Sequence, residues 1–334
     1  MRSQVTLREV AAAAKVSVAT ASRTLNGRCS PYVSEATKKA VLEAAKRLGY
    51  RPNRLARALV TGRRNMIGLA VPYVGYPFAS AVMKHIQERL HPAGLGLIAQ
   101  GAEVDAERYA EDMRVIEAEV DGIIAVERVD LLRHFLELSR PRAVPIVSVG
   151  AEVAEELDHV AVDLYTGAVE ACRHLASVGC RRIAYAVPAV SFHPQEQRLR
   201  AYERAVREFG MEPEHIVVPV GTRQGAREAI KEYARHWGLP DGIFCCNDVT
   251  AIGIFRGLRD LGADVPEQCA LVGCDGVEDT ECFDPPISTI VQPIEEMCRM
   301  ACEFLLNRIK EPDKPRQMAR LQAALVVRGS SARR

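Results

Sequence analysis

"VSVATASRTLNG", residues 16–27, is a short run in which small and hydroxyl-bearing side chains outnumber bulky ones, with one arginine near its end. Ser17 can cap a helix and Asn26-Gly27 can stop it, so the run predicts a helix over about residues 18–25. Helical spacing turns two of its side chains inward, Ala21 and Leu25. It turns four outward: Val18, Ala19, Ser22 and Arg23.

Two more short helices flank this run. "TLRE" at residues 6–9 is a capping box, and it precedes an apolar helical face made of Leu7, Val10, Ala11 and Ala14. "SEATKKAVLEAAKRLGY" at residues 34–50 predicts a third helix, with Ser34 as its cap, Gly49 as its stop, and an apolar stripe of Ala40, Val41, Ala44, Ala45 and Leu48. Three short helices with a tight turn between the first two make a helix-turn-helix unit.

The charge of the chain is unevenly distributed, although its net charge is only +1. Residues 1–64 carry 14 Lys or Arg against three Glu, a net charge of +11, and the rest carries 30 basic against 40 acidic residues, or −10. Such a basic segment indicates a polyanion partner, because each neutralised phosphate releases condensed counterions. The alternative is a solubilising basic tail, which would be poor in apolar residues and helix signals.

A helix that enters a major groove about 12 Å wide needs small outward side chains and hydroxyls that reach phosphates. The groups that we expect to contact phosphates are Thr6, Ser17, Thr20, Ser22 and Asn26. The alternative, an ordinary surface helix rich in Ala and Ser, does not explain the basic charge and the three-helix pattern.

From residue 65 onward, short apolar runs such as "MIGLAVPYV", "DGIIAVE" and "GIFCCND" alternate with helical stretches. This alternation predicts parallel sheets covered by helices. The pattern occurs twice, so the fold class is an N-terminal all-α helix-turn-helix domain followed by two doubly wound parallel-sheet α/β lobes. A crevice at the strand C-terminal ends is the expected ligand site.

The remaining features exclude several classes of protein. The N-terminus lacks the apolar core and cleavage site of a signal peptide, and no stretch approaches about 18 uninterrupted apolar residues, so we expect a cytoplasmic protein without a membrane partner. The ten cysteines form no C-x-x-C pair, which favours buried thiols over metal ligands. Phosphate-loop, nucleophile-elbow, H-E-x-x-H and dinucleotide-binding motifs are absent, so we expect neither catalysis nor a cofactor.

"TLREVAAAAKVSVATASRTLNG", residues 6–27, resembles the DNA-binding head of the LacI/GalR family of transcription regulators. The departures are mild: Lys15 stands where Gly is usual and Ala21 where Val is usual. The resemblance implies that bases are read by Val18, Ala19 and Arg23, and the Val-Ala pair is similar to the galactose-repressor branch.

The resemblance continues through "YRPNRLARALVTGRRNMIGLAVP", residues 50–72, where "RLARAL" is a helix too short to be stable alone. In the family this is a hinge helix that orders on DNA and pairs with its dimer mate. The resemblance implies that Leu59 wedges into the minor groove beside Ala56, with Asn53 and Arg54 at the backbone. The alternative is a plain linker in which Leu59 contacts the body.

The resemblance also covers the body, which is similar to periplasmic sugar-binding proteins. It implies a head over residues 1–51, a hinge helix and linker over 52–64, and an effector-binding and dimerisation core over 65–334. Lobe 1 would comprise about 65–161 and 291–321, and lobe 2 about 162–290 and 322–334. No apolar heptad repeat follows, so we expect a homodimer rather than a tetramer.

Five residues are expected to contact the effector by this resemblance: Phe78, Arg198, Asn247, Asp248 and Asp275. Phe78 could instead belong to a lobe core, and Asp248 could be a structural helix cap. Gly150 stands where many relatives carry an Asp that binds ligand hydroxyls, which weakens the inference to a common neutral sugar. A second hypothesis is an aromatic or acidic ligand recognised by Tyr73, Tyr76, His193 and Arg223.

The sequence therefore predicts a dimeric repressor that binds a pseudopalindromic DNA operator and responds to a small molecule, a sugar or a sugar derivative. The competing class is a cytoplasmic small-molecule-binding protein or enzyme with an incidental basic head. That class predicts no sequence-specific DNA binding.

Overall fold

The computed structural model describes residues 5–25, 33–50, 62–102, 105–126, 129–138, 144–151 and 154–333. The chain divides into two compact units, Met1–Arg64 and Asn65–Arg334. We call them the head and the body.

The head is built from three helices, α1 (Leu7–Ala13), α2 (Val18–Leu25) and α3 (Glu35–Leu48). The Thr6–Glu9 capping box starts α1, the Ser34 hydroxyl caps α3, and Gly49 ends α3 in the left-handed conformation at φ +66°. The helices enclose a small core of Val10, Ala11, Ala21, Val41, Ala44 and Ala45. The predicted helix-turn-helix unit is confirmed.

The turn between α1 and α2 holds Lys15 in a backbone conformation that is unfavourable for a residue with a side chain. Lys15 has φ +52°, in the left-handed region that glycine adopts without steric cost. Glycine is the residue expected in this conformation, which gives the physical reason why Lys15 departs from the family pattern. Inside α2, Ala21 is buried and Leu25 packs against the head core as predicted, and Thr24 is buried as well.

The body alternates strands and helices along the chain. Its strands are β1 (Met66–Pro72), β2 (Gly96–Ala102), β3 (Gly122–Val126), β4 (Ile146–Gly150), β5 (Asp158–Asp163), β6 (Ile183–Pro188), β7 (Glu214–Val218), β8 (Gly242–Cys245), β9 (Ala270–Asp275), β10 (Ser288–Val291), β11 (Met318–Gln322) and β12 (Ala324–Val326). Its helices are α4 (Pro77–Leu90), α5 (Ala106–Glu119), α6 (Val129–Leu138), α7 (Leu164–Ser177), α8 (Gln197–Glu208), α9 (Arg223–Trp237), α10 (Asp248–Asp260) and α11 (Ile294–Lys310). None of the described helices is long and apolar enough to cross a membrane.

The strands form two six-stranded sheets. The first has the order β11-β5-β4-β3-β1-β2 and is parallel throughout. The second has the order β12-β10-β9-β8-β6-β7 and is parallel except for the antiparallel β10–β12 pair. Helices α4 and α11 cover one face of the first sheet and α5 and α6 the other, while α9 and α10 lie on one face of the second sheet and α7 and α8 on the other. The two-lobed, doubly wound architecture is confirmed.

The chain passes between the lobes three times. It leaves the first sheet after β5, returns after β10 to place α11 against β3, β4 and β5, and crosses again between β11 and β12. We call the first sheet with its helices lobe 1 and the second sheet with its helices lobe 2. Each lobe is therefore completed by a segment that arrives late in the sequence.

A buried ion pair fixes the returning segment in lobe 1. Both oxygens of Asp158 at the start of β5 accept hydrogen bonds from Arg308 of α11, at 2.8 and 2.9 Å, and from Gln317, at 2.8 and 3.1 Å. Burial alone would raise the pKa of Asp158, but the bonds from Arg308 and Gln317 outweigh it and lower the pKa. The carboxylate is therefore charged at neutral pH.

Lobe 1 also contains two buried polar side chains that make no well-aligned hydrogen bond with the described residues. His159 on β5 lies opposite Ser148 on β4, and both side chains are almost completely inaccessible to solvent. The Ser148 hydroxyl lacks a partner there, and the interaction of the His159 ring with the Gly150 backbone is too weak to offset its burial. Burial lowers the pKa of His159 to about 4 from its usual 6.5, so the ring is neutral at pH 7.

His159 should make the body sensitive to mild acid. The unfolded chain binds the proton at higher pH than the folded chain, so stability is lost as the pH falls from about 6.5 towards about 4. Between pH 7 and pH 5 the wild-type free energy of unfolding should drop by about 2 kcal/mol more than that of His159→Leu. Urea unfolding followed by circular dichroism measures both.

The exposed His91 supplies the control, since His91→Gln should retain the wild-type difference between the two pH values. An equal loss of stability in wild type and His159→Leu would contradict the assignment of this sensitivity to His159.

Candidate functional site

The outward face of α2 carries small apolar and polar side chains, which allow a helix to enter the major groove of DNA. Val18, Ala19 and Arg23 are exposed, whereas Thr20 and Ser22 are half-buried. Val18 is notable because 43% of it is accessible although it is apolar. An apolar side chain at the start of such a helix can contact a thymine methyl group, and an arginine can bind guanine through two hydrogen bonds.

The hydroxyls near this face have local partners of their own. Ser17 Oγ accepts the Thr20 amide at 3.0 Å and lies 2.9 Å from Thr20 Oγ1, which makes Ser17 the cap of α2. Thr6 is held by Glu9, whose Oε2 lies 2.6 Å from the Thr6 amide nitrogen and 2.8 Å from its hydroxyl. The caps fix these hydroxyls at helix N-termini, where the partial positive charge favours phosphate.

Five residues of the predicted DNA interface lie outside the described residues. They are Asn26, which follows α2, and the four predicted hinge residues, Asn53, Arg54, Ala56 and Leu59.

In the body, the C-terminal ends of the strands from both lobes come together. The rings of Tyr73 and Tyr76, which follow β1 of lobe 1, stack with centroids 4.8 Å apart. A Cβ atom on Gly221 of lobe 2 would lie 3.2 Å from the Tyr76 hydroxyl and 3.3 Å from Pro188 at the end of β6. We call the space between these strand ends the cleft.

Arg198, at the start of α8, has several protein partners. Its Nε lies 2.6 Å from Glu196 Oε1, its Nη1 donates to the Cys246 carbonyl at 2.6 Å, and it also contacts the thiol of Cys274. Glu196 caps α8 by accepting the Leu199 amide at 2.7 Å. Two strand ends of lobe 2 thus fix the guanidinium.

Glu196 is a charged group of this region that the sequence analysis does not single out. Its second oxygen accepts the hydroxyl of the fully buried Tyr185 at 2.9 Å. Burial would raise the pKa of Glu196, but the charge of Arg198 and the hydrogen bonds to the carboxylate outweigh burial and lower the pKa. The sequence signal was the spacing in "EQR", residues 196–198, which puts an acidic helix cap two residues before the arginine.

One hydrogen bond in this region joins the lobes directly. Gln197 of lobe 2 donates from Nε2 to the carbonyl of Ala151, which directly follows β4 of lobe 1. Gly150, the last residue of β4, has φ +151°. This glycine supplies no carboxylate at a point where lobe 1 meets the start of α8.

Asp275 ends β9 with a strained backbone. It has φ +133°, which is rare for a residue with a side chain, and its Oδ1 accepts Gln292 Nε2 at 2.9 Å. Tyr73, at the end of β1, also has a positive φ, +49°. Backbone strain of this kind concentrates at binding sites, where surrounding contacts over-determine the conformation.

The neighbouring pair Asn247 and Asp248 has a different character. Asn247 caps α10, with Oδ1 accepting the Thr250 amide at 2.8 Å. Asp248 is completely buried, and its oxygens accept the Gly276 amide at 2.8 Å, the Val277 amide at 2.9 Å and the Thr289 hydroxyl at 2.7 Å. Burial raises the pKa of Asp248. These bonds favour the structural alternative over contact with an effector.

Two more candidates are held by contacts within the protein. Phe78 in the first turn of α4 is 7% exposed and packs in the core of lobe 1, which favours its core alternative. Arg223 at the start of α9 is paired with Asp279 at 3.3 Å, and both side chains are about half exposed. Among the described residues, no group of His, Cys, Asp and Glu side chains is arranged to hold a metal ion.

Two family models match the chain. Residues 6–53 match the bacterial regulatory proteins of the lacI family, and residues 172–331 match the periplasmic binding protein-like domain. The first match contains α1, α2 and α3, and the second contains most of lobe 2.

Similar proteins match over almost the whole chain. The HTH-type transcriptional regulator PtxS of Pseudomonas plecoglossicida is 31% identical over 336 residues, which covers 99% of this chain and 96% of that protein. A ribose-bound LacI family regulator from Enterococcus faecium is 27% identical with a TM-score of 0.69, covering 80% of this chain and 98% of that one. The fold is also that of the lac repressor dimer bound to operator, with a TM-score of 0.83 at 22% identity over 99% of this chain and 100% of that one. The chain belongs to the LacI family of bacterial regulatory proteins.

Proposed function

We propose that this protein is a transcription repressor that binds a pseudopalindromic DNA operator as a homodimer and is controlled by a small molecule in the cleft. The observation that carries the proposal is the exposed face of α2, with Val18, Ala19 and Arg23, on a segment with a net charge of +11. This surface is joined in one chain to a two-lobed ligand-binding fold. The protein is a regulator rather than an enzyme, and we propose that it acts in the cytoplasm, where operator DNA is found.

Base readout is assigned to three residues of α2, Val18, Ala19 and Arg23. Phosphate contacts are assigned to groups at or near the helix starts and the end of α2: Thr6, Ser17, Thr20, Ser22 and Asn26. The hinge segment would contribute Asn53, Arg54 and Ala56 at the minor groove and Leu59 as the wedge. Phosphate contacts set the register on the duplex, and base contacts select the sequence.

The effector site is assigned to the strand ends of the cleft. Arg198 and Asp275 are the side chains whose positions best support ligand contact, whereas Asn247, Asp248 and Phe78 support the cleft walls. Ribose is the ligand of the Enterococcus faecium regulator, which favours a sugar or sugar derivative here. A ligand that binds one lobe arrangement better than the other shifts DNA affinity through that difference.

The boundaries of the working parts follow from this proposal. The head would comprise residues 1–51, the hinge 52–64 and the core 65–334. An effector-driven rotation of lobe 1 against lobe 2 would reach the DNA through residues 52–64, because these join the body to the head.

Selection of bound duplexes from a random pool, at near-physiological salt, tests the function. The full-length protein should enrich a pseudopalindrome, because a twofold dimer presents two α2 helices to two half-sites. Binding without enrichment that vanishes as salt rises would contradict the proposal and favour the competing class, a ligand-binding protein or enzyme with an incidental basic head.

Arg23→Ala should lower operator affinity by roughly 10- to 100-fold and leave random-duplex affinity almost unchanged, since one good base contact contributes about 1–3 kcal/mol of discrimination. Fluorescence anisotropy with both duplexes at one salt concentration measures the ratio. Lys46→Ala removes the same charge from an exposed position on α3, so it should weaken both duplexes slightly and equally. Equal losses on both duplexes for Arg23→Ala would reduce Arg23 to a phosphate contact.

Asp248→Ala should lower the free energy of unfolding by about 3 kcal/mol, because two amides and a hydroxyl lose a buried acceptor. Asn247→Ala should cost about 1 kcal/mol, the usual cost of losing a helix cap. Urea unfolding measures both variants, with the exposed Asp279→Ala as a control that should be nearly neutral. If the Asp248→Ala protein is as stable as the wild type, the result contradicts the structural role and supports Asp248 as an effector contact.

A further inference from the structure

The charge of Arg198 is balanced inside the protein. The side chains of Arg198 and Glu196 are only 12% and 7% exposed, and Nε and Oε1 are 2.6 Å apart. The Cys246 carbonyl accepts a hydrogen bond from a second guanidinium nitrogen, Nη1, at 2.6 Å. An arginine held in this way has an internal carboxylate where an anionic ligand would otherwise bind it.

Glu196 cannot easily move aside to admit a competing anion. Its oxygens also receive the Tyr185 hydroxyl at 2.9 Å and the Leu199 amide at 2.7 Å. Tyr185 is fully buried in β6, so withdrawal of Glu196 would leave its hydroxyl unsatisfied in the core of lobe 2. Displacement would also remove the cap of α8.

The other charged groups at these strand ends do not restore a positive site. Asp275 lies next to Cys274, whose thiol Arg198 contacts, and adds a second carboxylate that accepts Gln292. Asp163 at the end of β5 accepts the Thr166 amide and hydroxyl, each at 3.0 Å. Arg320 of β11 partly opposes the Asp163 charge, because it helps to lower the pKa of that carboxyl. Glu196, Asp275 and Asp163 still outnumber Arg198 and Arg320 among these groups.

We propose that Glu196 is a specificity-determining residue that excludes anionic effectors from the cleft and restricts it to uncharged polyhydroxy ligands. A carboxylate or phosphate on the ligand would be repelled by Glu196 and Asp275 without gaining a free cation. Hydroxyl groups meet no such repulsion, and they can exchange hydrogen bonds with Arg198, Asp275 and the tyrosine hydroxyls. This disfavours the acidic ligand that Arg223 and His193 suggested in the sequence.

The test compares pairs of cyclic probes in which a carboxylate replaces one hydroxymethyl group. The full-length protein is titrated with D-glucose and D-glucuronate, and with D-galactose and D-galacturonate, by calorimetry without DNA. The wild type should bind neither sugar acid more tightly than its parent sugar. Glu196→Gln should gain affinity for the sugar acids by roughly 10- to 100-fold, because it removes one negative charge a few ångströms from the ligand.

Two variants control this result. Glu203→Gln removes the same charge elsewhere on α8, where Glu203 faces Arg207 and His215, and it should bind the sugar acids as the wild type does. The double variant Glu196→Gln/Arg198→Met should not show the increased affinity for sugar acids. This control distinguishes sugar acids bound in the cleft from sugar acids bound by the basic head. If Glu196→Gln does not fold, Glu196→Ser keeps a cap for the Leu199 amide and takes its place.

A sugar acid that binds the wild type more tightly than its parent sugar would overturn the inference. So would a neutralised variant that gains no affinity for either sugar acid. The inference rests on the proposed function only in placing the effector in the cleft. Because no DNA is present, its failure is distinguishable from a failure of operator selection.

Discussion

The buried pair of Asp158 and Arg308 is the contact on which the two-lobed body depends. Lobe 1 is incomplete until α11 and β11 return from lobe 2, and Asp158 binds side chains from both parts of that return. Removing either partner would leave the other without its opposite charge in a largely buried position. The pair therefore ties the late segments to lobe 1, and three chain crossings connect the two lobes.

The three chain crossings leave each lobe with its own sheet and helices. Polar contact between the lobes occurs near the cleft, where Gln197 donates to the Ala151 carbonyl. The strained backbones of Tyr73 and Asp275 lie at strand ends of opposite lobes. The proposed effector site therefore coincides with the region where the two lobes meet.

Local signals in the sequence predicted most of the architecture. The capping box at Thr6, the cap at Ser34 and the stop at Gly49 depend on residues within one helical turn, and the alternation of strands and helices extends over the whole body. The family resemblance also singled out Arg198, Asn247 and Asp275, which lie at or just after strand ends of lobe 2. The departure at Lys15 was visible in the sequence, but its backbone conformation was not.

The roles within the cleft could not be predicted in this way. Asp248 is a helix-start carboxylate in the sequence, and only the fold brings Gly276, Val277 and Thr289 to its oxygens. Glu196 is unremarkable until Tyr185 and Arg198 are placed beside it. Arg198 is only two residues from Glu196, but Tyr185 is 11 residues from it and Thr289 is 41 residues from Asp248, so local patterns miss these longer contacts.

The close approach of Tyr76 to Gly221 makes position 221 a point where the two cleft walls meet. A side chain there would lie 3.2 Å from the Tyr76 hydroxyl of the opposite lobe, so the tyrosine would have to shift slightly to admit it. If the lobes close on a ligand as proposed, a residue at this position bears on the resting balance between open and closed arrangements. Relatives with a larger residue at this position would begin from a different balance, and evolution could adjust the threshold of the response there without altering one contact to ligand or DNA.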